Sequence, residues 1–551
     1  MSEGTVISPF NPAAARRTLQ DRHRDAEPTM LTATGLTRAE IEKAGKKVIR
    51  RGGKQVLLIA HEGAIFAIAN RCPHEGYPLS EGSLGPGCVL TCNWHNWKFD
   101  LSSGQALVGR DPVRTYPISE RDGEIFLDLS DPPADEQRVH ALEGLDTAIA
   151  DYDTQRMGRE VARLIRAGFD AREALIHAIG LVNARFEDGM THAQGAAADW
   201  LALSARAGTP ERRLAALLEP IAHLAWDAQG RDVFPYAEDV APWDTHAFLA
   251  AMEGEYEARA MSYVRSALEA GMPYAAMRPA FARAALAHYA QFGHSAIYVL
   301  KTGQLLERLD GGAAEPLLLA LTRSLVRAWR EEKLPEFRGY DGALAAWSEG
   351  GDAPIEAGDL IRLNIDAVLS RVLQSAKRPP RELYDALLGA AAWNLAHFDL
   401  SVDAATGNTI ADNVSWLDFT HALTFANAAR HLSEETPALW PKALLQMALF
   451  VGRNAKYVTA EDDGRWAVAD RDAFLAREMT ALYDHGMPEP IIACHRVKML
   501  FALEDELSAA PDAPWAEAMC AGVNRYLNSP LKRHHGLRIA TQALDFIAKE
   551  G

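Results

Sequence analysis

Two hydrophobic rhythms divide the chain. From Lys46 to Asp128, apolar and polar residues alternate in short runs such as Lys47-Val48-Ile49-Arg50, Val56-Leu57-Leu58-Ile59 and Glu124-Ile125-Phe126-Leu127-Asp128. Gly-containing turns separate these runs, which predicts a small antiparallel β-structure. Asp131-Pro132-Pro133-Ala134-Asp135-Glu136 then breaks the pattern, because consecutive prolines cannot continue a strand ladder. Beyond it the chain runs in Ala- and Leu-rich segments with apolar spacings of three and four, as in Glu211–Leu218, Pro279–Gln291, Leu317–Trp329, Arg381–Ala396 and His421–His431. That spacing predicts helix throughout. The expected architecture is multidomain: a loosely held arm over residues 1–30, broken by Pro9, Pro12 and Pro28; a small all-β domain over 31–130; a linker over 131–150; and a large all-α domain over 151–551.

Composition narrows the function classes. The 551 residues carry a net charge of -17, so no basic stripe is available for phosphates and a nucleic-acid partner is excluded. No stretch reaches the ~18 apolar residues of a membrane span, and Met1–Phe10 lack a secretory pattern. A cytoplasmic protein is expected, with no membrane partner. Five Cys in this length form no disulfide framework, which suits a reducing compartment.

The sharpest chemistry lies in Cys72-Pro73-His74 and, after seventeen intervening residues, Cys92-Asn93-Trp94-His95. Each short loop offers one thiolate and one imidazole. Zinc fingers usually pair Cys with Cys and His with His, so the mixed knuckles point to iron and sulfide instead. The flanks, Ile65-Phe66-Ala67-Ile68-Ala69-Asn70, Gly76-Tyr77-Pro78-Leu79, Trp97-Lys98-Phe99-Asp100 and Gly104, resemble those of a Rieske [2Fe-2S] domain. The resemblance implies that Cys72 and Cys92 hold one iron of the cluster and that His74 and His95 hold the other, nearer the surface. Cys88 has no partner Cys beside the first knuckle, and Asn96 to Phe99 offer few hydroxyl donors to the sulfurs. The domain therefore resembles the ferredoxin-type Rieske modules of oxygenase systems rather than the high-potential respiratory ones.

The helical region must be read differently. Ring-hydroxylating Rieske oxygenases carry a mononuclear iron on an acid followed by His at three and at eight residues; here Asp418 and His421 have the first spacing, but position 426 is Ala. Fourteen of the eighteen His nevertheless follow residue 139. Most are expected to be surface or hydrogen-bonded residues. His192, His294 and His421 stand out, each opening an apolar segment, and His223 follows Pro220, which would start a helix. Four His on facing helices could surround a mononuclear Fe(II), with His177, His288, His397 and His495 as further candidates. Lys301 lies two helical turns from His294, as a carboxylated ligand, a proton donor or a surface residue. Glu219–Leu224 and Asp418–Leu423 resemble segments of the questin oxidase-like family. That resemblance implies a non-haem iron held by several His and a modified Lys.

No Gly-rich nucleotide fingerprint appears, so electrons are expected from a separate reductase or ferredoxin. The function expected is an oxidoreductase in which the Rieske module feeds a non-haem iron for O2-dependent oxidation of a small organic substrate. An imidazole of the cluster could face a subunit interface, which would favour a homo-oligomer. The rivals are an electron-transfer or redox-sensing protein whose helical domain binds a partner without metal, and a helical hydrolase, or a cofactor-free enzyme, with a structural cluster.

Overall fold

A computed structural model describes residues 31–409, 413–459, 464–531 and 535–549. The expected arm over 1–30 lies outside them. The described residues form a small antiparallel β-domain followed by a large helical region.

The β-domain contains β1 (Leu31–Thr37), β2 (Lys46–Arg51), β3 (Lys54–His61), β4 (Ala64–Ala69), β5 (Ser83–Gly85), β6 (Val89–Thr91), β7 (Lys98–Asp100), β8 (Ala106–Val108), β9 (Ile118–Arg121) and β10 (Glu124–Asp128). They pair as three antiparallel sheets, β1-β10-β9, β2-β3-β4 and β5-β6-β7-β8. The run Val56-Leu57-Leu58-Ile59 is apolar on both faces because β3 serves two cores. Leu57 and Ile59 pack with Leu79, Leu90, Phe99, Cys72 and Cys92. Val56 and Leu58, pointing the opposite way, pack with Ile41, Ile49, Tyr116, Ile125 and Leu127.

The segment expected as a linker differs from that reading. Residues 134–150 form a helix, with Asp135 and Glu136 in its first turn. Pro132 and Pro133 end the β-domain but are no obstacle to a helix that starts after them. The chain divides into two compact units between Gly144 and Leu145, inside this helix.

In the helical unit, four helices matter most: His192–Ala205, His294–Arg308, Trp416–Glu435 and Pro490–Ala509. Each packs against two of the others, closing a ring. Their sequences are apolar on nearly every face, as the interior of a large helical protein requires. Two proline readings need correction. Pro220 does not start a helix but lies inside Pro210–Ala228, whose start is set by Pro210 and the Thr209 cap. Pro279 likewise lies inside Tyr274–Ala285, which ends before Gln291. Among the described residues, no helix is long and apolar enough to cross a membrane.

Candidate metal centres

The two cysteine knuckles are near copies of each other. In the first, the Gly76 amide donates to the Cys72 carbonyl and the Cys72 amide donates to Tyr77 O, both at 2.8 Å. In the second, Asn96 N donates to Cys92 O at 3.0 Å and Cys92 N to Trp97 O at 2.7 Å. Both loops reverse through a left-handed residue four places after the Cys, Gly76 (φ +78°) and Asn96 (φ +60°), the residue types that tolerate this backbone. Asn93 ties the second knuckle down, its Nδ2 donating to Glu81 O at 2.8 Å and its Oδ1 accepting from Ser83 Oγ at 2.9 Å.

Cys72 and Cys92 are buried, whereas His74 is half-buried and His95 exposed. The imidazoles meet edge to face with centroids 4.6 Å apart. Trp97 stacks on His74 at 4.8 Å and Trp94 on His95 at 4.6 Å. Gly109 makes the first stack feasible, since a Cβ there would lie 2.4 Å from the Trp97 ring. Burial pushes the Cys72 thiol up to about 11, and the neighbouring Cys92 adds to the rise, while amides of His74 and Glu75 oppose it. His74 Nδ1 is a buried polar atom without a hydrogen-bond partner. Two adjacent buried sulfurs and an orphaned imidazole nitrogen fit a cluster held by two Cys and two His.

The helical ring carries one His per helix. His192 Nε2 lies 3.0 Å from His294 Nε2, His294 Nε2 lies 2.9 Å from His421 Nε2, and His421 Nε2 lies 3.2 Å from His495 Nε2. His192 closes the group, its ring centroid 5.0 Å from that of His495. Backbone carbonyls determine what these nitrogens can do. His421 Nδ1 donates to Leu417 O at 2.7 Å, His495 Nδ1 to Ile491 O at 2.7 Å and His294 Nδ1 to Gln291 O at 2.5 Å. A carbonyl only accepts, so the proton sits on Nδ1 and each Nε2 turns a lone pair inward. Burial lowers all four imidazoles below the usual range, His294 to about 4, which keeps them neutral. The lone pairs of His294, His421 and His495, 2.9 and 3.2 Å apart with no proton between them, repel. A cation resolves this, because two nitrogens at ~2.1 Å from one metal and ~90° apart are separated by about 3 Å.

The loop entering His294 is strained. Gln291, Phe292 and Gly293 have φ of +46°, +54° and +79°, three left-handed residues in succession. The Phe292 amide is held by Glu331 Oε2 at 2.7 Å and Gln291 N by Trp329 O at 3.0 Å. Such strain persists only where its surroundings enforce it, and here it delivers His294 to the ring.

Of the sequence candidates, His192, His294 and His421 meet in this ring. His223 is buried outside this chain of Nε2 contacts, 3.6 Å from Asp227 on its own helix, and burial lowers it to about 3. His495, a further candidate, takes the fourth position. His177 pairs with Asp146, His288 with Glu253 and Glu332, and His397 stacks on Trp393. Lys301 is bound to Asp199 at 2.7 Å and Gln304 at 3.0 Å. Asp418 accepts from the Ser415 amide as half of a capping box and pairs with Arg453 at 2.7 Å. Lys498 was missed. It is fully buried one turn after His495, with the Cys494 thiol beside it and no carboxylate partner. Its charge acts on all four ring imidazoles, which places it beside them.

Residues 36–117 match the family model of the Rieske [2Fe-2S] domain. The 3-phenylpropionate/cinnamic acid dioxygenase ferredoxin subunit of Photorhabdus laumondii is 35% identical over 78 residues, 14% of this chain and 74% of that protein. The ferredoxin component of the alkene monooxygenase system of Xanthobacter autotrophicus is 32% identical over 77 residues, 14% of this chain and 63% of that protein. The 4beta-methylsterol monooxygenase of Methylococcus capsulatus is 35% identical over 98 residues, 16% of this chain and 26% of that protein. These relatives are redox components of oxygenase systems, and the two ferredoxins among them are electron carriers. The paired knuckles and the match over 36–117 agree: the chain belongs to the Rieske [2Fe-2S] domain proteins.

Proposed function

We propose that this protein is a Rieske-linked non-haem iron oxygenase, oxidising a small organic substrate with O2 and electrons from a partner reductase or ferredoxin. The carrying observation is the convergence of four imidazoles, His192, His294, His421 and His495, three of them with the Nε2 lone pair turned inward. A ferrous ion bound there would supply O2 activation. Cys72 and Cys92 would hold the inner iron of the cluster, and His74 and His95 the outer one.

The chain's own part is to orient and to exclude water. Carbonyls of Gln291, Leu417 and Ile491 keep three ring nitrogens aimed and deprotonated. Tyr298 covers His294 at 5.4 Å between centroids, and Phe292 stands edge-on to His421 at 5.2 Å. These aromatic walls shield the site from bulk water and leave apolar surface for a substrate. Four His with a nearby Lys are also what the resemblance to the questin oxidase-like family implies, with Lys498 rather than Lys301 as that lysine.

Metal analysis with electron paramagnetic resonance on anaerobic protein tests the proposal. A reduced Rieske signal with a third iron that responds to nitric oxide is expected. His421→Ala should lose that iron and turnover yet keep the visible Rieske spectrum, whereas His95→Ala should lose the spectrum. Two irons per chain, with none added on reconstitution, would leave an electron carrier or sensor instead; zinc in the helical site would point to hydrolysis.

A further inference from the structure

A cavity of about 420 Å³ opens beside the first turn of the His294–Arg308 helix, and none of the four ring histidines lines it. Its volume is in the range that small-molecule sites occupy. Leu249, Met252, Leu325 and Leu439 give it an apolar wall.

The rest of the lining is cationic. Arg283, Arg330 and Lys442 face a single carboxylate, Glu253. That carboxylate is already satisfied: Arg330 Nη1 reaches its Oε1 at 3.1 Å and His288 Nε2 its Oε2 at 2.8 Å. Arg330 also donates to the Glu253 carbonyl at 2.7 Å, and His288 Nδ1 bonds Glu332 at 2.7 Å. The Glu332 and Glu253 carboxylates, one on each ring nitrogen, hold His288 above the ordinary imidazole range against the opposing effect of burial. Exposed Arg283 and half-buried Lys442 make no hydrogen bond or ion pair within the described residues, although the Glu253 charge reaches Lys442. Ser295, only 2% exposed, also lines the cavity, and its Oγ has no hydrogen-bond partner. A buried hydroxyl without a partner is costly, so an orphan facing a cavity marks a place for a polar ligand atom.

We propose that this cavity is a binding site for an amphipathic organic monocarboxylate. Its carboxylate sits between Arg283 and Lys442, with the Ser295 hydroxyl donating to it, and its hydrocarbon body lies on the leucine and methionine wall. Two cations match one carboxylate, whereas a dianion would also meet Glu253. Ser295 directly follows His294, so the occupant touches the turn that delivers this histidine to the ring. The site stands whether or not the ring holds iron.

Titration calorimetry of the full-length protein with 2-naphthoate, and with neutral 2-naphthamide as the uncharged control, tests the assignment. Saturable one-to-one binding of 2-naphthoate is expected, with the amide at least tenfold weaker. Arg283→Gln combined with Lys442→Gln should raise Kd at least tenfold while leaving the circular dichroism and thermal midpoint unchanged, since both side chains reach solvent. Ser295→Ala should weaken binding several-fold. Absence of saturation at millimolar 2-naphthoate, equal binding of the amide, or unchanged affinity in the double variant would each overturn the proposal, the last by placing the carboxylate elsewhere.

Discussion

Substitution of the two buried lysines should shift stability in opposite directions. Lys301 neutralises Asp199, both side chains are buried, and Asp199 Oδ2 already lacks a partner. Lys301→Met therefore strands a buried carboxylate, a loss of about 3–5 kcal/mol. Lys498 is equally buried, but it has no carboxylate partner, only the weakly accepting Cys494 thiol beside it. Methionine has nearly its length and no polar atom, so Lys498→Met should relieve ~1–3 kcal/mol in protein stripped of iron. In iron-loaded protein the sign reverses, because an amine group beside four histidines is lost together with whatever it contributes to holding the metal. The assay is urea denaturation of chelator-treated full-length protein followed by far-ultraviolet circular dichroism, with iron content measured after reconstitution. The stripped Lys498→Met variant should unfold at higher urea than wild type and Lys301→Met at lower urea. Reconstituted Lys498→Met should retain less iron. If the stripped Lys498→Met protein were as destabilised as Lys301→Met, the lysine would have a satisfying partner and the reasoning would fail.

Two further outcomes test the geometry. Gly293→Ala imposes a left-handed alanine (φ +79°) whose Cβ would sit 2.9 Å from Phe425, whereas Gly271→Ala meets the same backbone demand (φ +71°) in open space. The first should lose ~2–5 kcal/mol and the second ~1–2 kcal/mol in thermal denaturation, and only the first should weaken iron retention; equal losses would show that Phe425 yields freely. Burial opposes ionisation of Asp505, but bonds from His431 and Asn427 and the charge of Arg430 win, lowering it to about 2. A lowered carboxyl stabilises the fold above its unfolded value near 4, and that contribution disappears as pH falls towards 2. Asp505→Asn should therefore flatten the stability profile between pH 4 and 2 by roughly 1 kcal/mol, after discounting for a side chain 41% exposed; an unaltered acid limb would assign the titration elsewhere.

The cluster site was legible because its chemistry is local. The four candidate ligands fall within residues 72–95, on two loops whose turns are encoded by Gly76 and Asn96. The period-two runs marked the strands, and β3 announced its two-sided burial by being apolar at four successive positions. The helix at Ala134–Ala150 was hidden by the prolines ahead of it, since Pro132 and Pro133 read equally as a linker and as the run-in to a helix.

The histidine ring was legible only in part, and the error has a physical cause. His192 and His294 do open helices, but His421 lies in the second turn of Trp416–Glu435 and His495 in the second turn of Pro490–Ala509. Opening a helix is therefore not what the ring members share. Three of them share an Nδ1 proton given to a carbonyl three or four residues back, a bond that frees Nε2 and cannot be read from composition or spacing. His223 attracted attention because Pro220 resembled a helix start. With the true start at Pro210, it sits deep in the helix beside Asp227, close enough for its charge to act on His495 but outside the chain of Nε2 contacts. The one available signal was the pair His495 and Lys498, three residues apart on one face of an almost wholly buried helix. A lysine is costly to bury in that setting, so its place one turn from His495 was a signal that this stretch of helix faces polar groups in the interior.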